Sequence, residues 1–342
     1  MSEVSYRAAG AADDAGIRAL LGATFPDNVK AQEAFTRWQY WENPFGATVS
    51  WIAEAPDGRV VAHWAAVPVP MVLDGRRTRG AKGVDGATDP AFRGQGLFTT
   101  VGARMMADCA NHGIHALLTH PNPDAAGGAE RAGAQLVSQV AAHVRPLDPA
   151  WMAGRFRLPR RAAALAGAAF HVSAGDDHAV VEAPAPELDD LWAVAGAHVS
   201  NGVVRDATWW RWRYVDRPER PYAFVEARRS GRLTGAAAVT VAERFGGRFG
   251  LVLEYLAVDA GAARGLTAGL GAAAAAQGAV GLALAAIPGS RLGRLATGAG
   301  FRRLPRRLEP RPLRFMVVDP HGDTAGLAAR TWSMAWGDLD HL

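Results

Sequence analysis

Cysteine and lysine are almost missing from this chain of 342 residues. Cys109 is the sole cysteine, which excludes an intramolecular disulfide and a cysteine-rich metal site. Lys30 and Lys82 are the only lysines, so nearly every cation is arginine. Arginine keeps its charge to very high pH, and the sequence pI is therefore about 9.6 while the net charge at pH 7 is only +4. So small an excess does not point to nucleic acid. Membrane-length apolar runs are scarce as well. Residues 265–289 carry no charge, yet they are mostly Ala and Gly, hold Gln277 and break near Gly278, so they read as a buried helix followed by a buried strand. No apolar stretch follows the first charges at the N-terminus, so a signal peptide is not expected, and the chain reads as soluble and cytoplasmic. Hydrophobic residues at 49% and charged residues at 20% suit a folded chain of two ordinary domains.

What the sequence does contain is a copy of itself. Residues 37–44 read Arg-Trp-Gln-Tyr-Trp-Glu-Asn-Pro and residues 211–218 read Arg-Trp-Arg-Tyr-Val-Asp-Arg-Pro. Arg, Trp, Tyr and Pro recur at the same places, and Glu42 stands against Asp216. Each copy is followed by two strand-like runs around a Gly-containing turn, a further strand, an Arg-Gly step, a helical stretch, a short apolar strand and a helix closing in Ala-Gly. The order β-α-α-β-β-β-α-β-α-β thus occurs twice, and one α/β fold present in two copies is expected. Periodicity fades between about Arg145 and Gly175, and the tail from Pro320 belongs to neither copy.

The run with the clearest chemistry is Asp85 to Thr100. A strand ends at Pro90, a tight Arg93-Gly94-Gln95-Gly96 turn follows, and a helix starts near Leu97. Glycines let a ligand approach the backbone, and free N–H groups at a helix start, with the dipole behind them, form a cradle for a pyrophosphate. Arg93 adds a charge-assisted contact.

This run resembles motif A of the GNAT acyltransferases, Gln/Arg-x-x-Gly-x-Gly/Ala between a strand and a helix, with Arg93 and Gly96 on the pattern. Asn122, Ala125, Glu130 and Gly133 resemble the family's motif B. The resemblance covers residues 5–145 well and 178–318 more faintly. It implies two tandem GNAT-like α/β domains, each a mixed, mostly antiparallel sheet flanked by helices. They would occupy 1–145 and 178–318, with a linker at 146–177 and a tail at 319–342. It further implies that acetyl-CoA or another acyl-CoA binds with its pyrophosphate on Arg93, Gly94, Gln95, Gly96, Leu97 and Phe98. The pantetheine arm would lie along the strand edge at Ala87 and Thr88, and Asn122 would face the arm or the thiol. No metal is expected.

Three positions depart from the family pattern. Phe98 stands where Gly or Ala is usual and fits only if it turns into the core. Ala134 replaces a phenylalanine. Ala129 stands where a tyrosine often protonates the departing thiolate, so the acid is open. The second copy has Thr267 where the motif needs glycine, and it is expected to be structural or to help form the acceptor site.

Amide formation from a thioester needs a deprotonated amine and an accepted thiolate. Asp85, on the arm-bearing strand, is a candidate base, with satisfaction of a local backbone turn as the alternative. His120, at the next strand's end, is a candidate acid or base. The ending Trp336-Gly-Asp338-Leu-Asp340-His341-Leu342 is similar to that of tandem GNAT proteins, which implies that Asp338, Asp340 or the Leu342 carboxylate enters the first domain's cleft to bind a cationic acceptor, with a frayed acidic tail as the alternative. The activity implied is transfer of an acyl group to a primary amine of a small molecule or sugar, without nucleic acid or membrane partners. The alternatives are a non-catalytic acyl-CoA sensor or scaffold and, more remotely, an aminoacyl-tRNA-dependent transferase.

Overall fold

Local chemistry sets the sheets through three two-residue turns. Asp74-Gly75, Ser230-Gly231 and Phe245-Gly246 all have positive φ at both residues, between 49° and 80°. That conformation carries the right-handed twist that joins adjacent antiparallel strands. The strands they join pair Leu73 with Arg76, Arg229 with Arg232 and Arg244 with Gly247.

The computed structural model describes residues 4–26, 28–157, 173–218, 222–306, 309 and 313–339. The first repeat contains β1 (Ser5–Ala8), α1 (Asp14–Thr24), α2 (Glu33–Thr36), β2 (Val49–Glu54), β3 (Val60–Leu73), β4 (Arg76–Thr88), α3 (Leu97–Asp108), β5 (Leu117–Thr119), α4 (Pro123–Arg131) and β6 (Gln135–Pro146). After α5 (Pro149–Phe156) the second contains β7 (Asp177–Val181), α6 (Leu188–Ala195), β8 (Gly202–Val203), α7 (Ala207–Trp210), β9 (Ala223–Arg229), β10 (Arg232–Arg244), β11 (Gly247–Ala257), α8 (Ala260–Ala275), β12 (Gly281–Ala286), α9 (Arg291–Gly298), β13 (Arg302–Arg303) and β14 (Leu313–Val318). A last helix, α10, covers Thr324–Ala328. The repeated octapeptides fold alike. In each, a single α-turn (α2 or α7) runs into a π-turn, Arg37–Trp41 or Arg211–Val215.

Two compact units result. The first is Met1–Gln139 with Asp216–Glu219 and Leu313–Thr331, and the second is Val140–Val215 with Arg220–Pro312 and Trp332–Leu342. In the first, β1 to β4 are antiparallel neighbours in chain order, β4 runs parallel to β5, and β14 closes antiparallel to β5. α3 lies on β2 and β3, burying Val101, Met105 and Met106 against Trp64, Val61 and Leu117. In the second, β7, β9, β10 and β11 are antiparallel, β12 is parallel to β11, and β6 closes antiparallel to β12. Its core gathers Leu266 and Leu270 of α8 with Val225, Val239, Leu282 and Phe301.

The closing strands are exchanged. β6 is the last strand of the first repeat, yet Ala141–Pro146 pairs with β12, and β14 is the last strand of the second repeat, yet Met316–Val318 pairs with β5. The expected segments 1–145 and 178–318 therefore differ from the compact units, which part between Gln139 and Val140 and exchange pieces of the C-terminal region. Nor is the tail apart from both. α10 belongs to the first unit and Trp332 onward to the second. Backbone pairing discriminates weakly between two similar sheet edges, so sequence periodicity does not decide which edge each closing strand takes.

Candidate functional site

The turn before α3 is built to leave N–H groups exposed. Asp89 Oδ1 caps the short Pro90–Phe92 turn by accepting from Ala91 N at 2.8 Å. Arg93 follows, exposed. Gly94 and Gly96 then take φ of 79° and 78°, and nothing lies within 4 Å of where a Cβ would stand on either. Gly96 is the N-cap of α3 and offers no side-chain acceptor. The first intrahelical bond is Thr100 N to Gly96 C=O at 3.0 Å. Among the described residues no acceptor takes the N–H groups from Gly94 to Thr99. Six open donors at the positive end of a helix of 12 residues make an anion cradle.

Beside the cradle the sheet splits. β4 and β5 are in parallel register only from Ala81↔Leu117 to Gly83↔Thr119, while β4 continues to Thr88. Asp89 N bonds Val61 C=O at 2.9 Å, so by strand alternation Ala87 also turns its polar backbone to β3. Thr88 turns its own to the opposite edge, where β5 has left. The Thr88 hydroxyl oxygen is shielded from solvent and has no hydrogen-bond partner among the described residues.

Asp85 is placed differently from a base. It is a bulge residue with φ 56°, and its side chain is wholly buried. One carboxylate oxygen is ion-paired with the Lys30 ammonium. The other accepts from Gln39 Nε2 at 2.6 Å and from the Tyr40 hydroxyl at 2.5 Å. Its backbone carbonyl lies 3.0 Å from His63 Nδ1, and His63 Nε2 lies 3.0 Å from Ser50 Oγ. Burial pushes the His63 pKa down, although the Asp85 charge opposes this. With both oxygens engaged and no solvent contact, the carboxylate holds its own strand. Sequence reasoning missed Lys30, Gln39 and Tyr40, although the scarcity of lysine marked Lys30 and the tyrosine shared by the repeats marked Tyr40.

The remaining expected residues separate. Leu97 is buried under the turn. Phe98 turns into the core, its ring 4.6 Å from that of Trp64 at 33°. Gly86 and Gly128 make the room, since a Cβ on them would lie 2.8 and 2.6 Å from Phe98. Gln95 is exposed. Asn122 caps α4, its Oδ1 accepting from Ala125 N at 2.9 Å. Ala129 is fully buried. His120 follows Thr119, the last residue in register with β4, and its ring stacks on Phe315 at 5.3 Å. Cys109 is buried and its thiol is pushed up to about 12, chiefly by burial. Asp340 and Leu342 lie outside the described residues. Asp338 is not in the first unit; within the second its carboxylate is buried against Arg205. Among the described residues no group of three His, Cys, Asp or Glu side chains is arranged to hold a metal.

The second unit closes the corresponding features. α8 begins at Ala260, so Arg264-Gly265 lies inside the helix and not at its start. Asp259 caps that start, accepting from Ala262 N at 3.0 Å and pairing with Arg229. The chain thus places its own carboxylate where an anion would sit. Burial works against that charge, but the Ala262 N–H and Arg229 outweigh it and keep the carboxyl below its usual range. Thr267 is buried and hydrogen-bonded to Ala263 C=O and the Tyr255 hydroxyl, at 3.0 and 2.7 Å.

Residues 5–137 match the family described as acetyltransferase (GNAT) domain. No curated protein sequence matches the chain. Among solved structures, a conserved protein of unknown function from Enterococcus faecalis, described as a probable N-acyltransferase, superposes with a TM-score of 0.66 at 15% identity, covering 93% of this chain and 73% of that one. A GCN5-related N-acetyltransferase from Anabaena variabilis gives 0.67 at 12% identity, over 93% and 73%. Saccharomyces cerevisiae N-myristoyltransferase with bound myristoyl-CoA gives 0.58 at 10% identity, over 93% and 79%. These likenesses concern the fold. They extend it over nearly the whole chain, both repeats included.

Proposed function

We propose that the first unit, whose residues 5–137 match the acetyltransferase (GNAT) domain family, binds an acyl-CoA, acetyl-CoA above all, and transfers its acyl group to a primary amine of a small molecule or sugar. The observation that carries this reading is the uncapped N-terminus of α3. Its open N–H groups, from Gly94 to Thr99, lie next to a strand edge that β5 has vacated. The donor set fits the group. A doubly charged pyrophosphate matches convergent backbone donors with Arg93 beside them. An amide-bearing arm matches the free edge and the unpaired hydroxyl of Thr88.

Bound acyl-CoA supplies the thioester; the chain supplies orientation and proton handling. Asp85 is engaged by Lys30 and is assigned to holding the strand. His120, at the mouth of the split between β4 and β5, is the group proposed to take the proton of the attacking amine. The Leu342 carboxylate, outside the described residues, is a further proposed contributor. The buried Ala129 in place of an acid is the one observation favouring a second reading, an acyl-CoA sensor without turnover.

The test is calorimetric titration of acetyl-CoA into the wild type and a Gly94→Glu/Gly96→Glu variant, followed by thiol release with an amine panel. Binding that the folded variant loses, followed by thiol release, is the expected result. The sole cysteine is buried and poorly ionised, so the thiol readout reports CoA alone. His120→Gln should lower kcat by about 10²- to 10⁴-fold with acetyl-CoA affinity kept. Equal binding by both proteins would overturn the cofactor site, and binding without thiol release would favour the sensor.

A further inference from the structure

Lys30, Gln39 and Tyr40 all precede β2 in the chain, yet they converge on one carboxylate of β4. That carboxylate sits at a bulge. The register runs Ala65↔Val84 and then His63↔Ala87, so Asp85 and Gly86 both oppose Trp64. An extra residue bends a strand and swaps which residues face which edge. Here the bend comes two residues after Gly83, where β4 parts from β5. The bulge therefore decides that Thr88 and not Ala87 faces the vacated edge.

The second unit repeats this arrangement with different residues. The register runs Val239↔Val252 and then Ala238↔Glu254, leaving Leu253 as the extra residue. Glu254 accepts from the Tyr214 hydroxyl at 3.1 Å and from Arg205 Nε at 2.8 Å. β11 leaves its parallel register with β12 at Val252↔Leu284, again two residues before the acid. Tyr214 is the repeat partner of Tyr40. The split in this unit is not left open, because the Trp336–Asp338 turn packs on both β11 and β12. The same three parts, a buried acid at a bulge, a tyrosine from the π-turn and a cation, thus stand wherever the sheet divides. This holds even in the copy whose helix start is closed by Asp259.

We infer that this acid–tyrosine–cation network holds the sheet open at the split, and that Lys30 and Tyr40 are positioning residues for the acyl-donor arm, acting through the bulge at Asp85-Gly86. The inference rests on the proposed acyl-CoA site, and its consequence is a division of labour. The cradle at Gly94–Thr99 holds the pyrophosphate whether or not the network is intact, while the arm depends on the network.

Two probes separate those contributions: acetyl-CoA, and adenosine 3′-phosphate 5′-diphosphate, which carries the pyrophosphate but no pantetheine. Lys30→Met and the milder Tyr40→Phe should each weaken acetyl-CoA about tenfold and leave the nucleotide unchanged. Amide exchange at Ala87, whose N–H the bulge turns to β3, should also quicken in the unliganded variants. A merely structural role would weaken both probes together, and that result, or unaltered acetyl-CoA binding, overturns the inference. If the wild type binds neither probe, it is the acyl-CoA reading that has failed.

Discussion

Nη2 of Arg205 lies 2.8 Å from both carboxylate oxygens of Asp338, while Nε of the same guanidinium donates to Glu254 at 2.8 Å. All three side chains are nearly solvent-free. Arg213 completes the anchor by donating to the carbonyls of Gly337 and Leu339, at 2.9 Å each. The chain end as far as Leu339 is thus fixed within the second unit by charge-assisted bonds in a low-dielectric setting. Removing one partner of such a group leaves a poorly compensated buried charge. Asp338→Ala should therefore destabilise the second unit by about 3 kcal/mol, read from urea denaturation midpoints. A loss below about 1 kcal/mol, the range of a surface pair, would show that the contact does not anchor the tail.

Gly128 lies in α4, where alanine would ordinarily add about 1 kcal/mol through helix propensity. The opposite outcome is expected here. A Cβ on Gly128 would meet the Phe98 ring at 2.6 Å, and that ring is pinned between Trp64 and Gly86. Gly128→Ala should cost about 1–3 kcal/mol through overpacking. In a Phe98→Ala background the same Gly128→Ala change should be nearly harmless or favourable. Additive losses in the double variant would refute the coupling.

His63 is buried between Ser50 and the Asp85 carbonyl, and burial holds its pKa below the ordinary 6.5. The unfolded chain then binds the proton more readily than the folded one. Stability of the first unit is fully present above pH 6.5 and is lost as pH falls through the depressed folded value. Urea midpoints measured from about pH 7.5 down to about 5 should fall for the wild type and fall less for His63→Gln. An equal slope in both proteins would remove His63 as the cause.

The repeat was legible because it is written in local chemistry. The paired octapeptides marked the two α-to-π turns, and Gly94 and Gly96 marked a backbone that side chains rarely adopt. Phe98 was legible only as a condition, that it must turn inward. Gly86 and Gly128, the residues that let it do so, are 12 and 30 positions away in the chain. Asp85 was legible as a functional carboxylate but not as an occupied one, since its partners at positions 30, 39 and 40 meet it only across the sheet.

By itself, then, the sequence determined what depends on neighbours along the chain: the elements, their order in two copies, and the glycine turn that frees the donors at the start of α3. Tertiary structure alone decided which charges neutralise one another and which strands pair. Lys30 finds Asp85, Arg205 finds Asp338, β6 joins β12 and β14 joins β5. The physical reason is shared. Backbone pairing and Coulomb attraction carry little information about sequence separation, so their partners are chosen by what packing brings within reach.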